Sequence, residues 1–93
     1  MIEMTHVDGA DKGKIVLYAL STCIWCKKAR ALLDELKVEY SYIYVDLLER
    51  EENANTKTEI IKFNPKCSFP TIVINNETCI AGFDEQKIRE LAK

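Results

Sequence analysis

The sequence predicts one α/β domain in the order β-α-β-α-β-β-α, a four-stranded mixed sheet flanked by three helices. Three observations carry that prediction. The run from Lys14 to Leu20, mostly apolar, passes directly into a helix-periodic stretch and then into an alternating strand, which makes a βαβ unit. Two short apolar runs near the C-terminus are separated by Asn75-Asn76, a turn signal, which makes a hairpin. The chain has 93 residues, enough for one small core and too few for two. A βαβ unit followed by a hairpin and a last helix closes as a mixed sheet with helices on both faces.

Each element has its own reason. Residues 1–13 contain Gly9, Asp11 and Gly13 and show no periodicity, so they read as a mobile leader to a domain of residues 14–93. His6, the only histidine, falls in that leader and reads as a solvated side chain. Ile15 to Leu20 is a continuous apolar run, which suits a central strand covered on both faces. Ile24 to Lys37 carries Ala29, Leu32, Leu33 and Leu36 on one helical stripe. Tyr40 to Asp46 alternates, with Tyr40, Tyr42 and Tyr44 on one side and Ser41, Ile43 and Val45 on the other. A helix then runs to Asn64 and stops before Pro65, because the residue ahead of proline disfavours the α region. Its start is ambiguous between Arg50 and Thr56, since Thr56 to Glu59 has the form of a capping box. Thr71 to Ile74 and Thr78 to Ala81 form the hairpin. Asp84 is a good N-cap for the last helix, with Phe83 and Ile88 at the staple positions around it.

Composition excludes several classes. The net charge is −2 and the basic residues are scattered, so no basic patch for nucleic acid is expected. No apolar stretch approaches the ~18 residues that a membrane span needs. The N-terminus carries acids and lacks the basic and apolar regions of a signal peptide. A reducing, cytoplasmic setting follows as the expectation. Four cysteines there suit catalysis or metal binding better than structural disulfides.

The chemistry concentrates at Cys23-Ile24-Trp25-Cys26, between the first strand and the first helix. Backbone N–H groups at a helix start favour negative charge and so favour a thiolate at Cys23. The thiolate is the attacking species in disulfide exchange. Cys26 lies three residues before Ala29 and seven before Leu33, on the buried stripe. The spacing therefore gives one exposed cysteine, Cys23, as nucleophile, and one shielded cysteine, Cys26, to resolve the mixed disulfide. Trp25 offers apolar area to a partner. Lys27, Lys28 and Arg30 are near in sequence but read as solvated charges on the helix face. Cys67 and Cys79 read as packed small apolar groups. Their eleven-residue spacing lacks a zinc-knuckle pattern, so no metal is expected.

Three pieces at consistent spacing make residues 14–93 resemble the glutaredoxins of the thioredoxin superfamily. They are the C-x-x-C, Ser68-Phe69-Pro70, and Ala81-Gly82-Phe83-Asp84. The resemblance implies a thioredoxin-like fold and a cis Pro70 beside the dithiol, where Phe69 would offer its backbone to an extended substrate. It also places Gly82, Phe83 and Asp84 in a substrate-binding segment that holds the γ-glutamyl end of glutathione in many relatives. Against that, Pro70 would otherwise be a plain turn proline, and Gly82 a tight helix entry.

Two departures bear on the electron donor. Leu20 stands where a lysine usually pairs with a glutathione carboxylate, and Ala81-Gly82 replaces a glycine pair. Ala81-Gly82-Phe83 instead resembles NrdH-type redoxins, donors to ribonucleotide reductase that are reduced by a flavoprotein. The expected activity is thus reduction of protein or small-molecule disulfides by a monomer with no bound cofactor. Its electrons would come from glutathione, another thiol, or a flavoprotein or ferredoxin-linked reductase. Ile24, in place of the proline common after the first cysteine, leaves an alternative in a different class: a carrier of a [2Fe–2S] cluster.

Overall fold

The computed structural model describes residues 4–93. Its centre is β2 (Ile15–Ala19), four of whose five residues are buried. This is the predicted two-sided strand. β3 (Tyr40–Tyr44) lies parallel to it on one side and β4 (Thr71–Ile74) antiparallel on the other. β5 (Thr78–Ala81) completes the hairpin against β4. Asn75 and Asn76 both have positive φ, 54° and 55°, as a tight two-residue turn requires.

The sheet has five strands, one more than expected. Part of the predicted leader forms β1 (Thr5–Val7), antiparallel to β3, with Thr5 opposite Tyr42 and Val7 opposite Tyr40. The sheet order is β1-β3-β2-β4-β5. A three-residue strand is too short to show periodicity, so the sequence hid it. Gly9 lets the next segment lie against the turn after the first helix. A Cβ there would sit 2.5 Å from the Val38 carbonyl carbon. In the same place the Ala10 N–H donates to the Lys37 carbonyl and the Glu39 N–H to the Ala10 carbonyl. Residues 1–3, also assigned to the leader, lie outside the described residues.

α1 (Ile24–Leu36) buries Cys26, Ala29, Leu32 and Leu33, as the stripe predicts. Lys37 closes it in the left-handed region, φ 58°. After β3 a single 3-10 turn, Val45–Leu47, leads to α2 (Arg50–Phe63). The earlier of the two possible starts is therefore the one adopted. Glu51 and Glu52 in the first turn suit the positive end of the helix. Asn53 donates to the Val45 carbonyl at 2.8 Å, fixing the entry. Thr56 is internal and buried instead of capping. Asp84 does cap α3 (Glu85–Glu90), accepting from the Lys87 N–H.

Two apolar clusters fill the layers. The larger joins Ile15, Leu17, Cys26, Leu33, Tyr40, Ile72 and Ile88, and so binds α1 and α3 to one face of the sheet. The smaller, Ile43, Val45 and Ile60, seats α2 on the other. No helix among the described residues is long and apolar enough to cross a membrane.

Candidate active site

The site is built where β2 ends and α1 begins. Cys23 is the N-cap of α1, with extended backbone (φ −88°, ψ 117°). In that position its sulfur accepts the Cys26 N–H at 3.2 Å. An N-cap side chain facing backbone donors suits a thiolate, which is a better acceptor than a thiol. The residues before it turn tightly, the Cys23 N–H reaching the Leu20 carbonyl at 3.2 Å. All four cysteines are free. Cys23 is half-buried, while Cys26 is 1% exposed. Burial pushes the Cys26 thiol up to about 12, and its hydrogen bond with Cys23 adds to that. The two sulfurs thus differ in access, and Cys26 is the one that burial keeps protonated.

A carboxylate sits beneath this turn. The Ser21 N–H donates to Asp46 Oδ1 at 2.9 Å, and the Ser21 hydroxyl donates to Oδ2. The hydroxyl bond, then the N–H bond, hold the Asp46 carboxyl below the usual carboxylate range. The charge also contributes to the rise at Cys26. Nothing in the spacing of residues 25 apart announced this contact.

Two of the cations near the dithiol, Lys28 and Arg30, are engaged with aromatic rings. Lys28 lies over the Trp25 ring, 4.5 Å from its centroid. Arg30 stacks 3.9 Å from the centre of the Tyr42 ring and donates to the Tyr44 hydroxyl at 3.1 Å. Arg30 therefore joins α1 to β3 instead of lying free on the helix face. The alternation of Tyr40, Tyr42 and Tyr44 was the available signal for this cluster.

The second edge of the site is the segment before β4. The Phe69–Pro70 bond is cis, and Pro70 is fully buried. Phe69 precedes β4 and takes no part in its ladders with β2 and β5. Like Cys23, it packs against the larger core cluster. A buried amide, unforeseen from sequence, pins this loop. Asn64 Nδ2 donates to Ser68 Oγ at 3.0 Å and to Thr71 Oγ1 at 2.9 Å. The Pro70 carbonyl accepts the Gly82 N–H at 2.8 Å, which joins the segment to the start of α3.

Gly82 has φ 82°, and a Cβ built there would meet nothing within 4 Å. Its conformation, then, is what calls for glycine, and the space beside it is open. Phe83 stacks near Trp25, ring centroids 5.7 Å apart. Trp25 is 54% exposed, and the pair borders a groove of about 450 Å³ between α1 and α3, with Lys28 and Arg89. The Asp84 carboxylate is occupied in part by its own helix.

Cys67 and Cys79 stand apart from the dithiol pair. Cys67 packs on the α2-side cluster. Cys79 on β5 lies 3.0 Å from the Phe63 carbonyl, positioned to donate its S–H there. Among the described residues the four cysteines form no group at metal-binding distances.

Comparison with known proteins agrees with this architecture. A model of the glutaredoxin family matches residues 15–79. Glutaredoxin 1 of Rickettsia felis is 39% identical over 82 residues, covering 85% of this chain and 78% of its own. The crystal structure of Methanosarcina acetivorans methanoredoxin is 52% identical and superposes with a TM-score of 0.87, covering 90% of this chain and 88% of its own. That of a glutaredoxin from Methanosarcina mazei Go1 is 48% identical with a TM-score of 0.89, covering 98% and 88%. Family match, identity and shared fold lead to one conclusion: the chain belongs to the glutaredoxin family.

Proposed function

We propose that this protein is a dithiol thiol–disulfide oxidoreductase working through Cys23 and Cys26. The observation that carries the reading is the asymmetry of the two sulfurs, one reachable at a helix start and one buried with a raised pKa. The Cys23 thiolate attacks one sulfur of a substrate disulfide. A Cys23–substrate bond forms, the substrate disulfide breaks, and the departing thiolate takes a proton from solvent. Cys26 then loses its proton and attacks the Cys23 sulfur. An internal disulfide forms and the second substrate thiolate leaves. The substrate gains two electrons and the dithiol loses them. Once Cys23 is in the mixed disulfide it carries no charge, so that source of the raised Cys26 pKa disappears when Cys26 must react.

Trp25, Phe69, Pro70, Gly82, Phe83 and Asp84 are assigned to substrate binding. The Phe69 backbone offers main-chain pairing and the Trp25–Phe83 pair offers apolar area. The substrates are disulfide-containing proteins, with ribonucleotide reductase the specific candidate. Leu20 is half-buried against the α2-side cluster, and as an apolar residue it supplies no cation there for a glutathione carboxylate. This favours a reductase over glutathione as donor. We place the protein in the cytoplasm as a monomer.

Cys26→Ser incubated with a disulfide substrate should accumulate an adduct on Cys23, read by mass spectrometry. An adduct on Cys26 in Cys23→Ser instead would reverse the roles. Reduction of the oxidised protein by glutathione, by a thioredoxin-reductase-type flavoprotein and by a ferredoxin-linked reductase identifies the donor. Brisk turnover with glutathione would overturn the weight given to Leu20. A brown protein with stoichiometric iron after anaerobic expression would favour the [2Fe–2S] carrier.

A further inference from the structure

We propose that His6, Asp8 and Glu39 form a binding site for one divalent transition-metal ion of the borderline class, such as Zn²⁺. The three side chains sit on the β1–β3 edge, in the half of β3 away from its junction with the 3-10 turn. The register brings them together. His6 is directly opposite Ser41. Asp8 follows β1 and Glu39 precedes β3, so both lie at the end of that ladder, beside His6. One imidazole nitrogen and two carboxylate oxygens then lie within 4.8 Å of one another.

The distances suit a metal site as well as an ion pair. His6 Nε2 is 3.4 Å from Asp8 Oδ1 and 3.7 Å from Glu39 Oε1. Both exceed the ~2.7–3.2 Å of an N–H···O hydrogen bond. Ligands held ~2.0–2.2 Å from a tetrahedral ion are spaced roughly 3.4 Å apart, which is the edge seen here. The ring is also oriented. His6 Nδ1 is hydrogen-bonded to Ser41 Oγ at 3.1 Å, which leaves Nε2 facing the acids. A partner on the far nitrogen is how ligating histidines are commonly held.

Two carboxylates this close together favour a cation between them. The close backbone approach at Gly9 brings this segment against Val38 and Glu39. A cavity of about 320 Å³ is lined by His6 and Glu39 themselves together with Asp11 and Lys14, so its acids outnumber its one lysine. An imidazole with two carboxylates matches Zn²⁺ and its neighbours better than Mg²⁺ or soft Cu⁺. The side chains are 38–97% exposed, so water completes the coordination and the ion exchanges readily. Bound metal would clasp β1 to the sheet.

The test uses the full chain with its Cys23–Cys26 disulfide formed, so that the dithiol does not compete. Zn²⁺ is titrated and followed by NMR through the ring signals of the only histidine. The expected result is a ring shift that saturates at one equivalent, with Asp8 and Glu39 shifting in step and the melting temperature rising. Ser41→Ala should weaken binding about tenfold, as loss of a supporting partner does. Glu39→Gln should weaken it more while leaving the reporting ring in place. His6→Gln should abolish the gain in melting temperature, with β1–β3 amide signals confirming that the strand remains paired. A ring that does not respond to Zn²⁺ overturns the site. Shifts confined to Cys67 and Cys79, or unchanged in Glu39→Gln, overturn it equally.

Discussion

The two faces of the sheet are packed unequally. On the α1 and α3 face, α1 alone contributes four buried residues, and one of them is the buried cysteine of the dithiol. On the other face α2 is one residue longer yet buries only Thr56 and Ile60, and the Thr56 hydroxyl has no partner among the described residues. The chemistry is thus anchored to the thicker layer. Cys26 belongs to the same buried cluster as Leu17, Leu33 and Ile72, while Cys23, one turn earlier, packs against it only partly buried. The thin face supports the site only at its rim, through Leu20, Cys67 and Phe69.

The most forceful test of this contrast is a matched pair of truncations. Leu33→Ala and Ile60→Ala both remove a fully buried side chain. Such changes destabilise by about 2–5 kcal/mol, depending on how far the site can collapse. Leu33→Ala should fall at the upper end and Ile60→Ala at the lower, because α2 can settle on a cluster of three. Urea midpoints measure both. Equal losses would show that the faces are energetically alike.

A smaller effect should appear at high pH. The Cys26 thiol is raised from its ordinary value near 9 to about 12 by burial in the thicker layer. In the folded state it therefore holds its proton where the unfolded chain releases it. The stability from this group is complete below pH ~9 and is lost as pH rises from there toward 12. Cys26→Ala should flatten that alkaline decline relative to wild type. An unchanged slope would place the decline on Tyr40, whose hydroxyl is raised in the same direction.

On the thin face, Thr56→Val replaces a buried, unpaired hydroxyl by an isosteric methyl. An unsatisfied buried group is unfavourable by about 1–3 kcal/mol, so the change should raise stability by up to ~1 kcal/mol. A thermal melt reads the sign. Destabilisation would mean that the hydroxyl finds a partner.

The same unevenness decided what could be read from sequence. The thick face was legible because Ala29, Leu32 and Leu33 repeat at helical spacing, and the cysteines could be placed on that stripe without coordinates. The Asp84 cap and the Asn75-Asn76 turn were legible because each is a local rule. β1 was not, since three residues carry no period and their pairing with β3 is 35 residues distant at His6 and Ser41. Arg30 was misread for a related reason. A cation on a helix looks solvated until the facing strand supplies Tyr42 and Tyr44. The cis Phe69–Pro70 bond came from family resemblance, because local sequence favours trans.

Asp46 was also invisible in sequence, and it gives the subtlest expected effect. It lies at the junction of the two faces, just past β3, and accepts two bonds from Ser21 in the turn that delivers Cys23. Its folded pKa is depressed by those bonds. A depressed carboxylate contributes stability above its ordinary pKa, near 4, and loses it as pH falls through the folded value. The carboxylate is exposed to water, so the contribution to global stability is small. The local consequence should be the clearer one. Asp46→Asn keeps an acceptor for Ser21 but removes the charge that opposes ionisation of Cys26. The pH at which Cys26 resolves a mixed disulfide on Cys23 should move downward, measured by stopped-flow release of a chromogenic thiol. If the profile does not move while Ser21→Ala slows attack by Cys23, then Asp46 acts only by holding the turn, and the two faces meet through geometry alone.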